Sequence, residues 1–370
     1  MIKLQGSSNE NFVVLGLGRS GMTSARALNA SGANVICWDD DPEKRSLASS
    51  QGLRVIGSVS DFDWESIDRL IISPGVPHHF PLPHPMVSAA VSAGVLIDND
   101  VGLFFQSIAT KSWDKFSVRP RIVAVTGSNG KSTTASLLHH IFLKLGYKSQ
   151  LAGNIGRGVL DIDPPENNEL IVLELSSYQI EVARILSPDL AIFTNFSADH
   201  LERHGGIGGY LAAKRRLFTE GCPDYSIIGV DELAGLNLAQ QLSASIGDES
   251  IIRVSATKQM RRFDWSIFLD AGYLVEHRKG KQINSTDLKV FDNFVGPHSY
   301  QNAASAYAAC RALGMSPRKI VEAMKGFDGL AHRSQKIAAV NGITFINDSK
   351  ATNVELSLIH ISEPTRHHVI

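Results

Sequence analysis

At 370 residues, with 43% hydrophobic and 20% charged side chains, the chain can bury the cores of two or three domains and has the balance of a globular protein. Its 36 Lys and Arg against 37 Asp and Glu leave a net charge of −1, which excludes the strong field of a nucleic-acid or anionic-membrane binder. No apolar run is long enough to span a membrane, the amino terminus does not read as a signal peptide, and three scattered cysteines (37, 222, 310) make no disulfide framework, so a reducing cytoplasm is expected.

A strand is expected over 11–15, then the turn Gly16-Leu-Gly-Arg-Ser-Gly21, a helix over 22–30 stopped by Gly32, and a strand over 34–38 running into Asp39-Asp-Asp41. This is a G-x-G-x-x-G fingerprint inside a βαβ unit, with an acid at the end of the second strand. By default such a unit holds a nicotinamide or flavin cofactor. More broadly, it sets any pyrophosphate on a helix N-terminus, with Asp39 placed for ribose or base. A strand over 69–72 ends in the turn Ser73-Pro-Gly75, at the edge where open α/β sheets bind ligands. Loop 76–85 carries His78, His79 and His84 without metal-ligand spacing, and all three are expected to be solvated. A helix over 87–93 and a strand over 95–97 follow, and the polar stretch 109–120 marks a boundary that sets off a first domain over 1–110.

A second domain, 111–314, opens on an apolar strand over 121–125, a small-residue turn from Gly127 to Gly130, Lys131-Ser132, and a helix with Ala135, Leu137, Leu138, Ile141, Phe142 and Leu145 on one face. Strand, glycine loop and helix can cradle a polyphosphate. Backbone N–H groups of Gly127, Ser128, Asn129, Gly130, Ser132 and Thr133 point at the anion, Lys131 adds charge, and the Ser132 hydroxyl can ligate Mg²⁺. The loop is the short form G-S-N-G-K-S, because Val125 stands where the longer pattern has glycine; a chance glycine turn is the rival reading. A strand over 147–151 leads to Gly153-Asn-Ile-Gly156. The apolar strand 170–175 is broken only by Glu174, either an acid paired in the core or a metal ligand near the γ-phosphate. Strand 190–194 ends in Asn195-Phe-Ser-Ala-Asp-His200. In helix 210–218, Lys214-Arg-Arg216 taken alone reads as a solvated face. From 226 to 290 short strands with few helices are expected, including a hairpin of 265–269 with 273–277, together an appended small sheet. An Ala-rich helix over 303–313 stops at Gly314, Ser316-Pro opens another helix and a third domain (315–370), and a strand over 343–346 precedes Asn347-Asp-Ser-Lys-Ala-Thr-Asn353.

In this order the motifs T-G-S-N-G-K-S-T, G-N-I-G, E-L-S-S-Y-Q, N-F-S-A-D-H-L-E-R-H, A-A-K-R-R-L-F, G-P-H-S-Y-Q-N, A-H-R and N-D-S-K-A-T-N resemble the Mur ligases, the ATP-dependent amide-forming family of peptidoglycan synthesis. The first-domain motifs G-L-G-R-S-G and S-P-G resemble the branch that joins D-glutamate to UDP-N-acetylmuramoyl-L-alanine. The resemblance implies an α/β chain with a Rossmann-like N-terminal domain, a central P-loop ATPase-like domain with a small extra sheet, and an incomplete Rossmann-like C-terminal domain. It turns the first domain from a nicotinamide site into a UDP-substrate site: Gly18, Arg19, Ser20 and Gly21 at the diphosphate, Asp39, Ser73 and Gly75 around uridine, and Asn154 on the same substrate. It implies ATP and Mg²⁺ as cofactors. Lys131 would bridge the β- and γ-phosphates, Ser132 and Glu174 would hold one Mg²⁺, and His200 with a carbamylated Lys214 would serve a second. Asn302, Arg333, Asp348 and Lys350 would contact ATP, and Thr352 the amino acid. A monomer is expected.

After Val354 the resemblance stops, and 355–370 fits nothing in the family. The tail is expected to be foreign, from a frameshift or an assembly artefact, with a natural short form as the alternative; the third domain is expected to be incomplete and loosely held from about 315, and the chain to ligate poorly or not at all. Two rivals remain: another Mur or folylpolyglutamate-type amide ligase, and a non-catalytic dinucleotide-binding protein.

Overall fold

The computed structural model describes residues 1–58, 62–109, 116–291, 294, 296–333, 335–340 and 343–350. The first domain comprises β1 (Asn11–Leu15), α1 (Arg19–Ala30), β2 (Asn34–Trp38), α2 (Pro42–Ser50), β3 (Arg69–Ile72), α3 (Pro85–Ser92), β4 (Leu96–Asp98) and α4 (Asp100–Ala109). Its four strands are parallel in the order β2-β1-β3-β4. β1 lies inside this sheet and is buried on both faces, which is why Phe12-Val-Val-Leu15 is an unbroken apolar run. α2 escaped the periodicity reading because it buries only Ala48. It starts instead from its cap, where the Asp41 carboxylate accepts the Glu43 N–H at 2.9 Å and Pro42 opens the first turn.

The central domain runs through β5 (Arg121–Thr126), α5 (Lys131–Lys144), β6 (Ser149–Gly153), β7 (Leu170–Glu174), α6 (Ser177–Val182), β8 (Leu190–Phe193), α7 (Ile207–Thr219), β9 (Tyr225–Gly229), α8 (Leu233–Ile246), β10 (Ile251–Ser255), β11 (Trp265–Asp270), β12 (Tyr273–Arg278), β13 (Lys281–Asp287), α9 (Gly296–Ala312) and α10 (Pro317–Met324). One sheet carries all nine strands in the order β13-β12-β11-β10-β9-β8-β5-β7-β6. The expected hairpin is present as β11 and β12, and β13 pairs antiparallel with β12. These strands continue the main sheet, because β11 pairs parallel with β10. The segment expected to hold few helices contains the fourteen-residue α8. Alternation along β5 splits two cores. Ile122 and Ala124 face the cluster that runs through Leu160, Phe104 and Phe12 into the first domain, while Val123 and Val125 face Leu137, Tyr307 and Ile320 of α5, α9 and α10.

The helix expected to open a third domain therefore packs into the central one. Ile320, Ala323, Met324 and Phe327 are buried in that core, so 315–327 is firmly held rather than loose. β14 (Gln335–Val340) and β15 (Ile343–Asn347) form an antiparallel hairpin. Among the described residues, no helix is long and apolar enough to cross a membrane.

Candidate functional site

The phosphate loop joins β5, in the middle of the sheet, to α5. Gly130 caps α5 at φ +78°, a conformation that favours glycine, and a β-carbon there would sit 2.1 Å from Asn302 Oδ1. Asn302, expected at ATP, thus lies directly on the loop and also accepts from Thr134 Oγ1 at 3.3 Å. Ser132 is buried at the start of α5, beside Thr133. The neighbouring β8 end shapes the turn. Thr194 Oγ1 donates to the Asn129 carbonyl (2.7 Å), the Asn129 N–H donates to Asn195 Oδ1 (2.8 Å), and Ser128 Oγ donates to the Ser197 carbonyl (2.9 Å) while accepting the Ser197 N–H (2.9 Å). Behind Asn195 stand Gln301 (3.2 Å) and then Asp231 (2.8 Å from Gln301). The polar run after β8 is visible in the sequence but these roles are not, because none of these side chains matches a phosphate-binding pattern.

Two lysines fold onto the loop. Lys131 Nζ donates to the Ser128 carbonyl and Lys214 Nζ to the Gly127 carbonyl, each at 2.7 Å. Lys214 is buried and lies 4.6 Å from the Tyr210 ring centroid. The solvated-face reading of 214–216 therefore fails. Lys214 points inward, and Arg216 donates to the carbonyls of Ile180 (2.7 Å) and Ala183 (3.0 Å), which end α6 and have no helical partner of their own. Burial holds the Lys214 ammonium well below its usual pKa, and the Lys131 charge adds to this, opposed by Asp199 and Glu174. Burial also lowers Lys131. Between its lowered folded pKa and about 10.4, Lys214 holds a proton in the unfolded chain but not in the folded one, so its contribution to stability rises with pH across that window. The melting temperature of the wild type minus that of Lys214→Met should therefore grow between pH 7 and 10; a constant difference would contradict it.

Glu174 is buried at the end of β7. One oxygen accepts from Asn154 Nδ2 at 3.2 Å, and the other has no hydrogen-bond partner among the described residues. An orphaned buried carboxylate oxygen facing a phosphate loop fits a cation. Among the described residues no three His, Cys, Asp or Glu side chains converge as a ready metal cage, so such a cation would also take oxygens from phosphate and water. His200 takes φ +51° and has a half-exposed ring 5.3 Å from Tyr178, with Nδ1 3.5 Å from Asp199.

In the first domain Gly18, Arg19, Ser20, Asp39, Ser73 and Gly75 line one cavity of about 460 Å³ at the carboxyl ends of the strands. α1 begins at Arg19, so its free N–H groups open on this cavity. Gly21 lies one turn in. The Asp39 carboxylate accepts the Leu17 N–H (2.6 Å) and the Asp41 N–H (2.9 Å), holding the loop in addition to facing the cavity. Arg19 donates to the Asn154 carbonyl at 3.0 Å and to those of Gly153 and Gly156 at 3.3 Å, so the chain Arg19, Asn154, Glu174 joins this cavity to the phosphate loop. A cavity of about 760 Å³ at the amino ends of the central strands holds none of the expected site residues, and parallel sheets bind at the other end. In the histidine loop His79 is exposed as expected, whereas His78 and His84 depart from the solvated expectation. His84 Nδ1 caps α3 by accepting the Met86 N–H (3.1 Å) while Nε2 meets Asp40 (3.1 Å), and His78 is set against Glu181 with its pKa pushed down by burial to about 4.

Arg333 follows Leu330 in a turn, and its charge is felt at Lys131. Lys350, just past Asp348 after β15, is tied to that turn by its N–H to the His332 carbonyl (3.1 Å). Thr352 and the tail from 355 lie outside the described residues.

Comparison with known proteins fits this geometry. The Mur ligase middle domain matches residues 125–310 and the Mur ligase MurD-like N-terminal domain residues 10–98. The chain is 54% identical to a UDP-N-acetylmuramoylalanine–D-glutamate ligase of Cereibacter sphaeroides over 96% of its own length and 76% of that protein. It is 54% identical to the same ligase of Ruegeria pomeroyi over 97% and 77%. In fold it is similar to the UDP-N-acetylmuramate:L-alanyl-gamma-D-glutamyl-meso-diaminopimelate ligase of Neisseria meningitides, with a TM-score of 0.55 at 17% identity over 87% of this chain and 99% of that one. With the middle-domain family matched over 125–310, the MurD-like N-terminal family over 10–98, and 54% identity across nearly the whole chain, this protein belongs to the Mur ligase family.

Proposed function

We propose that this chain is the ATP-dependent ligase that adds D-glutamate to UDP-N-acetylmuramoyl-L-alanine in peptidoglycan synthesis. The observation that carries the reading is the pairing of a MurD-like first domain with the middle ligase domain in a chain 54% identical to ligases of that name. In the first domain the α1 amino terminus would take the diphosphate, with Asp39, Ser73 and Gly75 around uridine. The alanyl carboxylate is a poor acyl donor, because its leaving group would be oxide. Attack of a carboxylate oxygen on the γ-phosphorus expels ADP and gives an acyl phosphate; the D-glutamate amine then attacks the acyl carbon, and inorganic phosphate leaves with the C–O electron pair. Such catalysis is largely positioning and charge neutralisation. Lys131 and the N–H groups of 127–133 would hold the β- and γ-phosphates, and Asn302, Arg333, Asp348 and Lys350 the rest of ATP, with Thr352 near the amino acid. Ser132, Glu174, His200 and Lys214 would hold Mg²⁺, which neutralises phosphate charge when bound. The neutral amine that burial favours at Lys214 is the form that adds CO₂ to become a ligating carbamate. We further propose a monomer working in the cytoplasm.

The test is thermal stabilisation, because a ligand that binds only the folded chain raises its melting temperature. UDP-N-acetylmuramoyl-L-alanine and a magnesium ATP analogue should each raise it and NADH should not, and D-glutamate rather than other amino acids should stimulate phosphate release. A shift with NADH alone would overturn the reading in favour of a dinucleotide-binding protein. Lys131→Ala should weaken the ATP analogue by roughly tenfold to a hundredfold, as loss of a charged phosphate contact does, and leave the UDP substrate within about twofold; calorimetric titration of both ligands checks it.

A further inference from the structure

We propose that Arg203 of the central domain is a positioning residue for the UDP end of the substrate, holding the 73–76 wall of the first-domain cavity in its binding shape; this rests on the function proposed above. Its guanidinium donates through Nη1 to the Gly75 carbonyl (3.1 Å) and through Nη2 to the Val76 carbonyl (3.0 Å). Gly75 and Val76 line the cavity, and Arg203 does not. Two charge-assisted bonds from one rigid fork fix both the place and the plane of that turn.

The central domain holds the guanidinium still. Its carbon lies 4.9 Å from the Tyr178 ring centroid, and Tyr178 stacks on His204 at 5.0 Å and 11°. His204 is buried, with Nε2 2.9 Å from Ser177 Oγ and Nδ1 2.9 Å from the Glu181 carboxylate. The first-domain loop returns the contact on the far side of the turn. Phe80 lies over Gly205, 2.7 Å from where a β-carbon would be. Arg203 follows His200 by one short turn, so the strap connects the cavity wall to the end of the chain segment that shapes the phosphate loop. Substrate affinity in the first domain thus depends on a side chain of the ATP-binding domain.

The experiment measures, by calorimetric titration of the full chain, the affinity for UDP-N-acetylmuramoyl-L-alanine and for a magnesium ATP analogue. Arg203→Ala should weaken the UDP substrate about tenfold or more and leave the ATP analogue within about twofold. Arg203→Lys, which keeps the charge but cannot fork to both carbonyls, should fall between. Phe80→Ala, at a half-exposed ring that cannot threaten the fold, should act in the same direction with a smaller loss. Unchanged UDP affinity in both alanine variants, or a parallel loss of both ligands, overturns the proposal while leaving the ligase reading intact. Failure of the wild type to bind the UDP substrate would instead remove the first-domain reading on which it rests.

Discussion

Gly21→Ala should abolish high-affinity binding of the UDP substrate, by roughly a hundredfold or more, while the central domain still binds a magnesium ATP analogue. A β-carbon on Gly21 would lie 1.7 Å from the Gly16 carbonyl oxygen and 2.8 Å from Ser73 Oγ. The nearest atom is backbone and cannot rotate away. Ser73 Oγ already donates to that same carbonyl at 2.6 Å, so the first turn of α1, the glycine loop and the Ser-Pro-Gly turn are locked at one point. Adding a methyl must push α1 off β1 and carry its N–H groups out of the cavity. Overpacking of this kind costs about 1–3 kcal/mol in stability, and helix N–H groups carried out of the cavity could no longer meet the diphosphate proposed to bind there. Titration of both ligands, with a melting curve for the free chain, separates the two effects. Retained UDP-substrate affinity in Gly21→Ala would mean that the cavity is not where the diphosphate binds.

Glu276→Ala should destabilise the chain by about 3–5 kcal/mol, the cost of leaving a buried ion pair with one partner. The Glu276 carboxylate is completely buried in β12. It accepts from the Trp265 indole N–H (3.3 Å), the Tyr307 hydroxyl (2.7 Å) and Arg311 Nε (2.8 Å). Arg311 and Tyr307 sit on α9, so this one carboxylate pins α9 to the sheet. α9 also carries Asn302 onto Gly130, and loosening it should weaken the ATP analogue as well. Glu276→Gln keeps the volume but leaves the Arg311 charge unpaired and sets an N–H donor where the carboxylate accepts, so it should recover only part of that loss. Denaturant unfolding measures both. A loss below about 1 kcal/mol for the alanine variant would show that the network contributes little.

The elements that chemistry needs are written locally in the chain. β1, β5 and β7 read as apolar runs because strands buried on both faces leave few polar positions. The two glycine loops were legible because a tight strand-to-helix turn over an anion restricts residue type at each step. Glu174 is a single acid in an apolar strand, and in the fold its carboxylate is buried and half-satisfied among the described residues. A side chain whose partner is far along the chain carries no local signal. Lys214-Arg-Arg216 looks like a solvated run, yet one member turns in to Gly127 and another caps α6, contacts set by how α7 crosses the sheet. His84 has no ligand spacing, because its partners are a helix end and Asp40, brought together by the loop's path. Helix α10 carries no mark of which domain it joins; only its packing against α5 and α9 assigns it. The grip of Arg203 on two main-chain carbonyls was equally invisible, because a backbone carbonyl is the same in every residue and only the tertiary structure says which one an arginine will find.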